Sequence, residues 1–245
     1  PTLQNISAER IQVELIKMLV SDRPELLRTA YELGITAQFL PEFDELMKTE
    51  QETPHHMYNV GEHTLHAMQN VRSDKVLRLT MLFHDMGKPA LKTVDEDGVA
   101  HFKNHAFKSQ EITKKVLKRL KFDNDTLRKV SHLVYYHDYR MPAKEKNVRR
   151  AMAKIGTELF SCYLEVRRAD TLAQSMYQRE EKLANIQEVT HLYEQITEAG
   201  QCVSLGMLAV NGGDLIAAGM KPGKEIGKKN CLEGYDIRIR HTRDA

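Results

Sequence analysis

Long hydrophobic runs are missing from this sequence. Its longest apolar stretches fall far short of the ~20 residues a membrane span needs, and no signal-like segment opens the chain. Both absences lead to the expectation of a cytoplasmic protein that does not enter a membrane. Cysteine is scarce: Cys162, Cys202 and Cys231 are odd in number and widely spaced. That pattern excludes a disulfide framework and a cysteine zinc site, and it fits a reducing compartment. A glycine-rich phosphate loop is absent too, because NGG at 211–213 and KPGKEIG at 221–227 lack the Walker spacing. No serine stands in a nucleophile elbow, and Cys162 falls mid-helix among apolar residues, so no Ser-His-Asp or Cys-His arrangement competes for the chemistry.

What is present is ordinary in bulk. The 245 residues are 41% hydrophobic and 29% charged, enough for one large domain or two small ones. Charge is unevenly spread along them. Residues 1–62 carry 5 Lys and Arg against 11 Asp and Glu, whereas residues 103–150 carry 14 against 5. A block this basic attracts phosphate, although solvated helix faces have the same composition.

The periodicity is helical almost throughout. Ser7 precedes AERIQVELIKMLV, where Ile11, Leu15, Met18 and Leu19 follow a 3.6-residue repeat, and Ser7 is a good N-cap. Asp22 is read as the cap of a second helix, with Pro24 in its first turn and an end near Gly34. Further helices are predicted at about 36–48, 58–72, 74–86, 105–121, 123–137, 146–155, 157–176 and 178–199, with a short one inside 211–227. The period changes once, where LKTV and VAHF flank DEDG and predict a β-hairpin near 91–102. The fold class is therefore all-α, an antiparallel helical bundle with one small hairpin. The final stretch, KKNCLEGYDIRIRHTRDA over 228–245, loses the periodicity and reads as a disordered tail or, in preference, as a frameshifted or artificial end.

Residues 82–89 read LFHDMGKP, a histidine and an aspartate closing an apolar run. A neutral imidazole and a carboxylate are good ligands for a divalent metal, and both are costly to bury without a partner. His63 lies on the preceding helix and Asp170 on a much later one. The set His63, His84, Asp85 and Asp170 resembles the signature of the HD superfamily of metal-dependent phosphohydrolases, which places H…HD…D on a helical bundle. The resemblance implies a divalent metal (Mn, Ni, Mg or Fe) and assigns His105 and His137 to a second metal or to substrate phosphate. Lys88 beside the pair is placed to bind a phosphate or a developing oxyanion. Arg167 and Arg168 precede Asp170, with Arg167 nearer its face of the helix. His55 and His56 are candidates for the pocket mouth. Asp85, Lys88 and Arg167 are thus the catalytic candidates; His55, His56, Lys88, His105, His137, Arg167 and Arg168 are the substrate-binding ones. His66, His101, His132, His191 and His241 are read as structural or exposed.

The motifs ISAERIQVELIKML, LPEFDEL, PHHMYNVGEHTL, RRADTLAQSMYQREEKL and LAVNGGDLIAAGMKPGKEIG resemble a narrower group. They are similar to the C-terminal part of bacterial tRNA nucleotidyltransferases, the CCA-adding and poly(A) polymerase family, in members that carry an HD domain. The likeness runs to about Gly227. It implies a helical neck at 1–50, an HD domain at 51–200 and a helical tail segment at 201–227, with tRNA or a nucleotide phosphate ester as partner. It further implies 2′,3′-cyclic phosphodiesterase and phosphatase activity. The sequence departs from that pattern in lacking a G-S/T-x-R-D-like strand-turn motif with paired carboxylates, so nucleotide addition is expected to need a head outside this chain. Two other readings stay open at this point: a tRNA-binding helical module with a structural metal, and a free-standing nucleotide phosphohydrolase.

Overall fold

The computed structural model describes residues 6–201, 203, 216 and 217. The tail helix expected within 211–227 lies outside them apart from Ile216 and Ala217, which are helical, and residues 228–245 lie outside altogether. The helices are α1 (Ala8–Val20), α2 (Leu26–Glu32), α3 (Thr36–Phe39), α4 (Pro41–Met47), α5 (Val60–Gln69), α6 (Lys75–Phe83), α7 (Lys88–Leu91), α8 (His105–Arg119), α9 (Asn124–Tyr136), α10 (Glu145–Ile155), α11 (Thr157–Ala173) and α12 (Arg179–Glu198). One antiparallel hairpin, β1 (Thr93–Val94) with β2 (Ala100–His101), pairs Thr93 with His101 and Val94 with Ala100. The all-α class with a short hairpin is what the periodicity predicts.

Four helix starts follow from short polar caps. Ser7, Asn59, Asp74 and Asp123 each accept a hydrogen bond from the backbone N–H three residues on, satisfying one orphan donor of α1, α5, α6 and α9. Two expectations need correction. Asp22 does not cap α2, which begins at Leu26 after a Glu25 that makes no side-chain cap. The helix expected over 36–48 is two, because Leu40 precedes Pro41 and is driven out of the helical region to φ −141° and ψ 54°.

The described residues form two compact units, one lying within 1–140 and 157–187 and the other within 141–156 and 188–245. In the first, α6 is the central helix. Every residue from Leu77 to Phe83 is buried, Arg78 and Thr80 included. Leu65 and Met68 of α5, Val130 and Val134 of α9, and Val166, Ala169 and Ala173 of α11 join it in one apolar cluster. Burial continues past its C-terminus, so His84 and Asp85 emerge inside the protein. In the second unit α10 buries Val148, Ala151, Met152 and Ile155. Arg149 of α10 bonds Glu145 at 2.7 Å and also Gln201.

Candidate metal centre

His84 and His137 occupy equivalent places, the C-cap positions of α6 and α9. There the last carbonyls lack helical partners. Each ring uses Nδ1–H to satisfy one of them, His84 on Met81 O at 2.6 Å and His137 on Val134 O at 2.7 Å. His105, the first residue of α8, repeats the arrangement on Phe102 O at 2.9 Å. His63, inside α5, directs Nδ1 to Ala173 O at 3.3 Å. A neutral imidazole carries one N–H. With Nδ1 donating, each of the four rings in its neutral form presents a bare Nε2 lone pair to the same place.

Those lone pairs face one another and two carboxylates. His63 Nε2 lies 3.3 Å from His84 Nε2 and 2.9 Å from Asp170 Oδ1, though 107 positions separate His63 from Asp170. His105 Nε2 lies 3.1 Å from His137 Nε2. Asp85 stands between the pairs. Its Oδ2 is 3.2 Å from His84 Nε2 and 3.7 Å from His63 Nε2. Its Oδ1 is 3.4 Å from His105 Nε2 and 3.6 Å from His137 Nε2. His63, His84 and Asp85 form one set of atoms able to hold an ion, and Asp85, His105 and His137 a second. Asp170 joins the first through His63.

The donor chemistry fits divalent cations. Acceptors buried against acceptors repel unless positive charge lies among them. Burial pushes the Asp85 carboxyl up, but the positive charge that His84 carries when protonated and that of Lys88, with the hydrogen bonds that protonated His137 and His84 rings donate, hold it well below the usual carboxylate range. Asp170 is likewise raised by burial and then held far lower by the hydrogen bond and charge of His63 in its protonated form, a proton whose place a bound cation would take. Burial lowers His105 to about 4, so that ring is neutral near pH 7. Asp85 thus directs one oxygen toward each of the two histidine pairs.

Around this centre opens a cleft of about 360 Å³. His55, His56, Lys88, His105 and His137 line it, as do Asp85 and Asp170. Lys88 is buried, its Nζ 2.7 Å from Asp85 Oδ2 and donating to Gln51 Oε1 at 2.6 Å. Desolvation lowers His56 to about 2, leaving a neutral ring whose buried Nδ1 has no hydrogen-bond partner. Two predicted substrate contacts lie elsewhere. Arg167 is buried behind His137, donating to the His137 carbonyl at 3.3 Å, and does not line the cleft. Arg168, one residue further round the helix, is exposed and outside the cleft.

The sequence reading missed Gln51, Gln174, Lys182 and Gly87. Gln174 Nε2 donates to Asp170 Oδ2 at 3.1 Å, and its spacing of four from Asp170 was a usable signal. Gly87 has a steric role: a Cβ there would lie 2.5 Å from His105 O and 2.6 Å from Ser109 N. Only glycine lets the first turn of α8 sit on the turn that follows Asp85.

Comparison with known proteins bears on this arrangement. Residues 96–230 match the family model described as tRNA nucleotidyltransferase domain 2. Residues 1–47 match one described as "Probable RNA and SrmB-binding site of polymerase A". The CC-adding tRNA nucleotidyltransferase of Thermus thermophilus is 30% identical over 229 residues, covering 90% of this chain and 50% of that protein. The A-adding tRNA nucleotidyltransferase of Deinococcus radiodurans is 32% identical over 149 residues, 58% of this chain and 34% of its own. A bifunctional uridylyltransferase/uridylyl-removing enzyme of Ruegeria pomeroyi is 28% identical over 153 residues, 53% of this chain and 15% of its own. The chain spans half the length or less of these relatives. With more than half of its residues inside the domain model, and the Thermus likeness running through the helices that carry His63, His84, Asp85 and Asp170, this chain belongs to the tRNA nucleotidyltransferase family.

Proposed function

We propose that this chain is a metal-dependent phosphohydrolase of the HD type, a 2′,3′-cyclic phosphodiesterase and phosphatase acting in tRNA 3′-end processing or repair. The observation that carries the reading is Asp85, with one oxygen toward the His63–His84 pair and the other toward His105–His137. In this reading His63, His84, Asp85 and Asp170 would hold one divalent ion, and Asp85, His105 and His137 would hold a second. Bound divalent ions supply acidified water and neutralise phosphate charge. The side chains do the rest. Lys88 orients a phosphate oxygen beside Asp85. His56, neutral and with its Nδ1 unbonded, offers a hydrogen bond in the same cleft. Arg167 positions His137 through its carbonyl.

The family supports a tRNA context, and the name of the Ruegeria relative, which includes removal of a uridylyl group, supports hydrolytic chemistry at a phosphate ester. A purely structural ion is disfavoured by the open cleft, since structural sites are closed to solvent. Nucleotide addition is assigned to a head in the full-length protein, consistent with the greater length of the relatives. The test is hydrolysis of bis-p-nitrophenyl phosphate and 2′,3′-cyclic AMP by the purified chain with Mn²⁺, Ni²⁺ or Mg²⁺. Turnover that needs metal and disappears in Asp85→Ala is expected. Stoichiometric bound metal with no turnover of either ester would leave a binding module instead.

A further inference from the structure

A set of side chains at the rim of the cleft has no part in the metal centre. Lys182, at the start of α12, donates to Gln174 Oε1 at 2.8 Å and lies 3.2 Å from His55 Nδ1. An ammonium has three N–H groups, so a third remains for a ligand. Gln174 is buried and bonds Asp170 Oδ2, which fixes Lys182 relative to the metal ligands. Arg140 lines the same cleft; Asp138 Oδ1 takes its Nε and Nη2 donors and leaves Nη1. Tyr177 is 50% exposed, and its ring meets His55 edge-on at 4.9 Å. The loop that carries Tyr177 is pinned to the His55 loop, with Ser175 N donating to His55 O at 2.8 Å. An exposed aromatic face beside two cations is the composition that holds one nucleotide of a single strand, ring on base and cations on phosphate.

We infer that Tyr177, Lys182 and Arg140 form a second nucleotide subsite, next to the residue whose phosphate reaches the metal centre. This rests on the hydrolase reading above and narrows its substrate class: an RNA end of at least two nucleotides, in preference to a mononucleotide.

The test measures binding to the full metal-loaded chain with two probes that resist hydrolysis, adenosine 3′-methylenephosphonate and the dinucleotide CpA bearing the same group. The dinucleotide should bind about tenfold more tightly, within the range of one stacked base. Lys182→Met and Tyr177→Ala should each bring the two affinities within about twofold of one another, and Tyr177→Phe should restore the difference, because a phenyl ring stacks equally well. Equal affinities in the parent, or a preference unchanged in both variants, would overturn the subsite. Hydrolysis of bis-p-nitrophenyl phosphate, measured in parallel, keeps the two ideas apart. A dinucleotide preference without hydrolysis leaves the subsite standing and removes the hydrolase. Hydrolysis without the preference does the reverse.

Discussion

At the scale of single residues, the candidate metal centre depends on which nitrogen of each ring is free. Nδ1 of all four histidines is engaged by backbone carbonyls, so a ligand change at any one ring cannot be made good by rotation. The four-residue core of the site was legible because a His-Asp pair closing an apolar run is chemically expensive, and its distant partners had helical positions of their own. Gln51 and Lys182 were not legible. Their roles come from a loop and a helix start folding over the cleft, and no local spacing announces that. The first prediction follows from the shared carboxylate. The purified parent should bind about two divalent ions per chain, as two-metal phosphate sites do. His105→Ala or His137→Ala should bind about one, and Asp85→Ala close to none. Metal analysis after gel filtration reads all four proteins; one ion in each of the parent, His105→Ala and His137→Ala would leave a mononuclear centre.

Elements were easier to read than their joints. Helices with a polar cap and a clear apolar stripe fall within a few residues of expectation, whereas the region around Leu40 does not, since a proline inside a helical repeat resets the preceding backbone. The seat of α8 was invisible in sequence because Gly87 acts by what it lacks. Gly87→Ala should force the first turn of α8 away from the Asp85 turn. An overpacking cost of about 1–3 kcal/mol is expected, with selective loss of the ion held by His105. A thermal melt and a metal count check it together; a lowered melting temperature with full metal content would separate packing from ligation. Asp123 tests a cap. It accepts from Thr126 N at 2.8 Å and Thr126 Oγ1 at 2.7 Å, and those bonds lower its carboxyl to about 2 from 3.8. A depressed carboxyl stabilises the fold while ionised, so the contribution is complete above pH 4 and disappears as pH falls through about 2. Asp123→Ala should cost about 1 kcal/mol at pH 7. The gap in melting temperature between parent and variant should narrow between pH 4 and pH 2; a constant gap would assign the loss to something other than the ionised cap.

For the molecule as a whole, the basic block at 103–150 is distributed differently from its composition. Much of it is neutralised locally: Arg119 forks onto Glu42 at 2.7 Å, and Arg128 and Lys129 share Asp125 and Glu158. Lys103 and Arg140 are its members at the cleft. Lys144, Lys146 and Arg150 are exposed at the start of α10 and along it; Lys114, Lys115 and Lys118 are exposed together on α8 as one coherent face. The far end of that helix joins the N-terminal helices, where Arg119 bonds Phe39 O and Gln12 bonds Lys121 O. The segment matched to an RNA-binding site is itself acidic, with 4 Lys and Arg against 8 Asp and Glu in residues 1–47. An acidic surface cannot hold a phosphate backbone unaided. Under the proposed tRNA role, the lysine face of α8 supplies the cations and the N-terminal helices supply shape. The affinity of the chain for tRNA should therefore fall steeply with salt, because cations that replace counterions lose their advantage when counterions are plentiful. Replacing Lys114, Lys115 and Lys118 with glutamine should weaken binding at low salt and flatten the slope of log affinity against log salt by about 2. Hydrolysis of 2′,3′-cyclic AMP in the same variant provides a check that the metal cleft is intact. A slope equal to the parent's would place the RNA on a different face.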